Sequence, residues 1–440
     1  MASEVTGWTE QKLGELGEFR NGANFSQEDY GSGYPIVNVK QLYRGRYASM
    51  QDVHELATTA LSNPQSLFLR HGDILFARSS LKASGAGQVA MVGPCKPHAI
   101  FSGFIIRFRI KSTVRVIPDY LNYLLRSPVY RELLTRIGSG TTITNLSQDT
   151  LARLSIELPP LFEQKAIVSM LGALDDKIEL NRRMNETLDA MARALFKSWF
   201  VDFAPVHAQI EGCNSGFPED IVALFPNSFE ESSLGEIPKG WTVEPIDNLT
   251  EAIGGTTPST KEPEYWTPDI HAWATPKDLS KLDSSVLRKT ERRISDKGLN
   301  QIGSGLLPVG TVLLSSRAPI GYLAVAEIPV AINQGFIGMK PREGVSNLFL
   351  LYWAEVAQET IKSRANGSTF LEISKSNFRQ IEVVRPDEAV MKKFDTYVRP
   401  WYHRIVANEN ETATLIRMRD ALLPKLISGE IRIDPMEGER

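Results

Sequence analysis

The side chains whose types and spacing suit chemistry in this sequence are cations set among glycines, hydroxyls and aromatics. YRGRY (Tyr43 to Tyr47) interleaves Arg44 and Arg46 with tyrosines, and SSLKASGAG (Ser79 to Gly87), after Arg78, places Lys82 in a glycine-rich loop. Farther along, GGTTPSTK (Gly254 to Lys261) is a hydroxyl-rich turn holding Thr256 and Thr257 and ending in Lys261. WATPKD carries Lys277, RKTERR carries Arg292 and Arg293, and SSRAP carries Arg317. Arg and Lys pair with phosphates or guanine edges, while hydroxyl and amide side chains read other base edges. Glycine lets a backbone approach a phosphate chain closely. Any one of these loops, taken singly, reads as solvated surface. As a set, they suit recognition of a nucleic acid.

The compact signatures of catalysis are missing. There is no Gly-Lys dipeptide, hence no phosphate-cradling Walker loop, and no Gly-x-Ser-x-Gly elbow. No Asn-Pro-Pro-aromatic tetrapeptide is present, the pattern with which amino-methyltransferases hold an extruded base. The six histidines are scattered and never fall at metal-ligand spacing. Pro118-Asp119 and Glu163-Gln-Lys165, some 44 residues apart, form a nuclease-like pair only on paper and read as helix-opening residues. A catalytic site dispersed over the chain, in a stand-alone nuclease or methyltransferase, stays open as an alternative.

The elements that must position these loops are written twice. GSGTTITNLSQDTLARLSIELPP, from Gly138, aligns with ANGSTFLEISKSNFRQIEVVRPD, from Ala365, at an offset of 227 residues. The same offset carries without a gap through a long apolar-periodic stretch, matching Leu171 to Val398, Asn181 to Asn408 and Leu195 to Leu422. Upstream, GWTEQKLGELGEFRNG resembles GWTVEPIDNLTEAIGG, GDILFARSS resembles GTVLLSSRA, and FSGFIIRF resembles NQGFIGMK, at offsets of 233, 238 and 232. Changing offsets place insertions in loops on a shared scaffold. GDILFARSS, QVAMVG and FIIRFRI read as strands. PDYLNYLLRSPVYRELLTRIGSG reads as one helix with Leu121, Leu124, Leu125, Leu133 and Ile137 inward, and NLFLLYWAEVAQETIKSRANGS is its counterpart. Ser147 and Ser374 read as helix N-caps.

LDDKIELNRRMNETLDAMARALF, Leu174 to Phe196, continues a heptad seam of a paired helix counted from Leu171, with Leu171, Ile178, Asn185 and Ala192 at one core position and Leu174, Asn181, Leu188 and Leu195 at the other. Both repeats keep Asn at the same place, so Asn181 and Asn408 are candidate register marks that meet across the seam or bond the opposite backbone. The fold class expected is α+β: two tandem mixed α/β domains, each followed by a long helix, the helices pairing as an antiparallel coiled coil. The divisions are residues 1–158 and 236–385 for the globular domains, and 159–200 and 386–440 for the helical regions, the latter with its tail. Residues 201–235, interrupted by Pro, Gly and acids, join the copies.

Charge fits this division. The net charge is −3, yet residues 1–158 carry 17 Lys/Arg against 13 Asp/Glu, while 201–235 carry none against 6. The acidic excess sits in one short segment, which permits basic faces elsewhere. Two cysteines, Cys95 and Cys213, suit a reducing cytoplasm and make neither a disulfide framework nor a zinc site. No stretch reads as a signal peptide or a membrane span.

LPPLFEQKAIVSMLGALDDKIELNRRMNETLDAMARALFKSWFVDF resembles the first conserved region of the specificity (S) subunits of type I restriction-modification systems, and RMRDALLPKLISGEIRI resembles the second. The Gly-Trp pairs at Gly7-Trp8 and Gly240-Trp241 resemble the starts of that family's two target-recognition domains. Pro386-Asp387-Glu388-Ala389 departs from the Pro-Pro-Leu-x-Glu-Gln pattern kept at Pro159 to Gln164, which implies a different start for the second helix. The resemblance implies a subunit without catalysis or cofactor of its own that reads an asymmetric, bipartite site in double-stranded DNA. Two methyltransferase (M) subunits with S-adenosylmethionine, and restriction (R) subunits using ATP and Mg, would be its partners. Phe196, Trp199, Phe200, Leu423 and Leu426 are the residues expected to dock the M subunits. A helix of the 34 residues Glu163 to Phe196 spans roughly 50 Å, enough to hold two readers about one turn of B-DNA, roughly 34 Å, apart. A coiled-coil scaffold that binds only proteins explains the helices but not two diverged globular copies.

Overall fold

The computed structural model describes residues 7–43, 45–50, 53–61, 63–80, 87–138, 144–212, 216–367 and 371–433. They divide into two units, Met1–Glu179 with Thr412–Arg440, and Leu180–Glu411. Each unit therefore takes one globular domain, the start of one long helix and the end of the other.

In the first unit an antiparallel sheet orders its strands Gly17–Asn21, Ile105–Ile110, Ile74–Ala77, Val89–Met91. A smaller sheet orders His54–Ala57, Gly33–Val37 and Ile100–Phe101, the last pairing in parallel. Successive side chains on a strand point to opposite faces, and here both faces are buried. Ile74, Phe76, Ile106 and Phe108 pack toward the helices, whereas Leu75, Ala77, Ala90 and Ile105 pack toward the smaller sheet. That accounts for runs such as ILFA, apolar throughout rather than alternating. Thr9–Lys12 pairs antiparallel with Ser155–Leu158, Thr9 opposite Leu158, so the domain's first and last strands lie side by side.

The second unit repeats that order. Thr250–Gly254, Phe336–Pro341, Val312–Ser315 and Leu323–Ala326 form the main sheet, with Val286–Leu287 added at its edge. Arg292–Ile294, His271–Ala274 and Val330–Ile332 form the smaller one, and Thr242–Pro245 pairs with Glu382–Arg385. The duplication seen in the sequence is thus a duplication of topology. Ser147 and Ser374 cap equivalent short helices, accepting from the N–H groups of Thr150 and Asn377.

The stretch expected as one helix from Pro118 is two, Pro118–Arg126 and Pro128–Gly138. Ser127 is extended at ψ 152 because the following Pro128 disfavours helical geometry in the residue before it. Its counterpart likewise breaks at Ala357, into Asn347–Val356 and Gln358–Ser363.

The long helices, Leu161–Phe200 and Glu388–Ile427, are 40 residues each and begin and end at repeat-equivalent positions. The different start expected for the second is corrected: the departure changes contacts, not the boundary. In the first unit Glu163 lies 2.7 Å from Arg432 and accepts from the Trp8 indole at 3.1 Å, while Gln164 bonds the Ile117 N–H and the Pro159 carbonyl. Val390 and Met391 fill these positions in the second unit and are buried in its apolar core. Helix N-termini tolerate either solution once preceding segments stop at proline.

Within each unit the helix ends run antiparallel. In the first, Ile167 and Leu171 share a core with Leu423, Leu426 and Ile427, and Asp175 pairs with Arg419 at 2.8 Å. In the second, Phe196, Trp199 and Phe200 surround Phe394 at ring separations of 5.8, 6.2 and 5.1 Å. The five residues expected to dock a partner are therefore corrected to core. Trp199 and Leu426 are 0% exposed, and Phe196, Phe200 and Leu423 at most 9%. An amphipathic stripe announces a buried face without naming what buries it, and here the domains do.

Residues 201–235 are not an open join. Ala204–Glu211 and Glu219–Val222 are helices and Phe229–Ser232 pairs with Gly235–Pro238. Val206, Ile221 and Phe225 enter the second unit's core beside Trp199 and Trp241.

Candidate nucleic-acid interface

In the second unit the GGTTPSTK loop leaves the edge strand Thr250–Gly254 and crosses the loop that follows Val330–Ile332. The crossing is so close that a Cβ on Gly255 would lie 1.8 Å from the Ile332 carbonyl oxygen. Only glycine fits. The Thr256 N–H bonds that carbonyl at 3.0 Å. Two indoles then hold the loop's outer arc: Trp273 Nε1 donates to the Thr256 carbonyl at 3.2 Å and Trp266 Nε1 to the Ser259 carbonyl at 3.0 Å. The rings meet edge to face at 5.1 Å, and the exposed Arg292 guanidinium lies 3.5 Å over the Trp266 ring. Stacking on an aromatic face orients a planar guanidinium and leaves its N–H fork outward.

Thr256, Thr257, Lys261 and Arg292 are thereby brought to one loop system. The Thr257 hydroxyl donates to Gln334 Oε1. Beside them opens a cleft of ≈ 590 Å³ lined by Thr256, Ser316, Gln334, Glu372, Ser374 and Lys375, residues of four loops and of the start of the helix Lys375–Arg379. Arg317 reaches Glu372 at 3.3 Å at its edge.

The other expected cations are held elsewhere. Lys277 and Lys281 both pair with Glu291, at 3.1 and 2.6 Å, and their hydrogen bonds hold its carboxyl below the usual range. Arg293 donates to the backbone carbonyls of Asp269 and Ile270. In the first unit, Arg46 is a correction: it donates to the Tyr123 hydroxyl at 3.1 Å, pairs with Asp176 at 2.9 Å, stacks on Tyr47 and is 12% exposed. Its charge fastens the domain to the helix. Arg78 is half-buried, its backbone bonded to Phe104 and Leu146. Arg44 and Lys82 lie outside the described residues.

The asparagine seam is buried in the second unit, with Asn181, Asn185 and Asn408 at most 6% exposed. Asn408 Nδ2 donates to Asn185 Oδ1 at 2.8 Å, and Asn181 Nδ2 reaches the Asn408 carbonyl at 3.5 Å and Glu411 at 2.8 Å. Asn181 thus meets the backbone of its repeat mate, and the side-chain partner of Asn408 is Asn185. Asn185 Nδ2 in turn donates to Glu409, which also takes Ser284 and Arg288.

The nuclease-like pair of the sequence does not assemble. Asp119 accepts from the Tyr47 hydroxyl at 3.3 Å, and Glu163 is a buried anchor for Trp8 and Arg432. Among the described residues no group of three or more His, Cys, Asp or Glu is placed to hold a metal ion, and no helix is long and apolar enough to cross a membrane. Sequence reasoning missed Gln334, Trp266 and the part Trp273 plays. The alignment of FSGF with NQGF around a shared Gly-Phe is corrected by one residue: the strand registers set Ile105 against Phe336, and so Gly103, not Ser102, at the place of Gln334.

Comparison with known proteins accords with this arrangement. The family model described as type I restriction modification DNA specificity domain matches residues 6–190 and again 238–397. The HindI specificity subunit of Haemophilus influenzae is 26% identical over 474 residues, covering 97% of this chain and 100% of its own. The MjaIX specificity subunit of Methanocaldococcus jannaschii is 38% identical over 185 residues, 42% of each chain. The crystal structure of the type I restriction-modification S subunit from M. genitalium shares the fold at a TM-score of 0.57 and 16% identity, covering 97% of both chains. With both copies of the repeat matched by one family model, the chain belongs to the type I restriction-modification DNA specificity family.

Proposed function

We propose that this chain is the DNA-reading subunit of a type I restriction-modification complex, with its two domains reading the two halves of an asymmetric, split site in double-stranded DNA. The observation that carries this is one strand order built twice and bearing different loops. A shared scaffold with divergent rims is how one architecture reads two sequences. Arg292 on its tryptophans, Lys261 and the threonine-rich loop supply phosphate and base contacts in the second unit, and Arg78, Arg44 and Lys82 are their counterparts in the first. Lys277, Arg293 and Arg317 support the rim through their pairs. Asn181 and Asn408 fix helix register and so the spacing of the half-sites.

Catalysis belongs to partner subunits. S-adenosylmethionine is carried by methyltransferase subunits, two per complex, and ATP and Mg serve restriction subunits. Docking falls to apolar side chains left exposed on the long helices, among them Phe162, Met170, Met191 and Met418, in place of the five that the cores bury. The cytoplasm is where such a complex meets DNA.

The test is methylation mapping in a host carrying this chain with its methyltransferase partner. A split motif with a fixed spacer is expected, and replacing residues 1–158 should change one half only. A contiguous motif, or loss of both halves on that exchange, would overturn the reading.

A further inference from the structure

We infer that Gln334, oriented by Thr257, is the side chain that reads an adenine of an A·T pair in the half-site of the second unit, and that Asn24 occupies the equivalent reading position in the first. This rests on the DNA-reading function above. Gln334 stands at the tip of the strand crossing, exposed into the ≈ 590 Å³ cleft, while its chain neighbours are pinned. The Asn333 N–H bonds the Ala274 carbonyl at 3.1 Å, Asn333 Oδ1 takes the Gly335 N–H at 2.9 Å, and the Gly335 carbonyl takes the Ser316 N–H at 2.8 Å. A side chain on so fixed a backbone has its position set before any ligand arrives.

Its polarity is also set. Because the Thr257 hydroxyl donates to Gln334 Oε1, the amide turns Nε2 outward as a donor, and Thr257 Oγ keeps lone pairs free to accept. A donor beside an acceptor matches the major-groove edge of adenine, which offers N7 as acceptor and the N6 amino group as donor. Guanine offers two acceptors there, and cytosine a donor alone.

The first unit makes the same crossing. A Cβ on Gly22 would lie 2.2 Å from the Ser102 carbonyl oxygen, and Ala23 N–H bonds the Phe101 carbonyl at 2.9 Å. Gly103, at the place of Gln334, brings no side chain, but Asn24, at the place of Thr257, is exposed with Oδ1 lying over that glycine. Each reading head therefore presents one carboxamide, from opposite sides of the crossing.

The experiment uses the full chain with its methyltransferase partner and duplexes carrying the mapped site. Replacing single adenines with 7-deazaadenine removes the N7 acceptor. Wild type should lose roughly tenfold in affinity at one adenine of the second unit's half-site, and Gln334→Ala should bind both duplexes alike. Thr257→Val, which frees the amide to rotate, should lose most of that discrimination, and Asn24→Ala should affect only the other half. Methylation maps of the Gln334→Ala host should show one relaxed position. If wild type reads a split motif but Gln334→Ala and Thr257→Val keep full sensitivity to every 7-deazaadenine, this inference is wrong while the function stands. If wild type reads no split motif, the function itself fails.

Discussion

Substituting Asn408 by Leu tests whether the polar groups in the helix seam act as a coupled set. Asn408 Nδ2 donates to Asn185 Oδ1 at 2.8 Å, in a place where Asn408 is 1% and Asn185 6% exposed. Asn408→Leu leaves Asn185 Oδ1 without its donor and away from water, a loss of about 1–3 kcal/mol. For a unit the size of Leu180–Glu411, about 2 kcal/mol corresponds to a fall in Tm of roughly 4–8 °C. Asn185→Leu with Asn408→Leu removes donor and acceptor together and adds apolar contact, so the double variant should melt near the wild type. Glu409 then loses Asn185 but keeps Ser284 at 2.9 Å and Arg288 at 3.3 Å. Intrinsic fluorescence suits the assay, because six of the seven tryptophans lie in the second unit. Equal melting of Asn408→Leu and wild type, or a double variant as unstable as the two singles summed, would refute the coupling.

Burial pushes the Glu355 carboxyl up to about 7, against the attraction of Arg193 and with added repulsion from Asp189. The folded state then holds this proton more tightly than the unfolded chain, so its stabilising contribution is full below about pH 4.5 and is lost as pH rises through 7. The stability advantage of wild type over Glu355→Gln should shrink between pH 5 and 8 in urea titrations, and a constant difference would contradict this. Trp273→Phe keeps an apolar ring but deletes the donor to Thr256. It should weaken specific DNA binding by the complex while changing stability by only about 1 kcal/mol, as read by competition binding and melting. Arg432→Ala leaves Glu163, 1% exposed, with the Trp8 indole as its hydrogen-bond donor. It should destabilise the first unit by about 3 kcal/mol, seen as faster limited proteolysis within residues 7–158.

The repeat was legible because ungapped similarity is a property of the chain, and helix ends 227 residues apart follow from it at Leu161 and Glu388. Caps were legible for the same local reason: Ser147 and Ser374 bond N–H groups three residues on. What a side chain meets across the fold was not. Phe196 and Leu423 have the spacing of an exposed docking stripe and of a core alike, and only the domain packed on them decides between the two. Arg46 within YRGRY looks free until Asp176, 130 residues later, is brought to it. Of the residues at the loop crossing, composition singled out Thr256 and Thr257. Gln334 was not among them, because its meaning comes from a crossing of two loops 77 residues apart in sequence.

The pairing of first and last strands in each domain bears on how new specificities arise. Thr9–Lys12 beside Ser155–Leu158, and Thr242–Pro245 beside Glu382–Arg385, bring the two ends of each domain together at a single doorway, beside the start of the long helix that follows it. A domain of another size or loop set can be exchanged as a cassette at that doorway, its two ends already neighbours. A crossover within a helix, by contrast, would join a reader to a foreign wall of its own core. Inherited change of target should therefore have its breakpoints at these strand pairs, leaving the helices as the constant part of the gene.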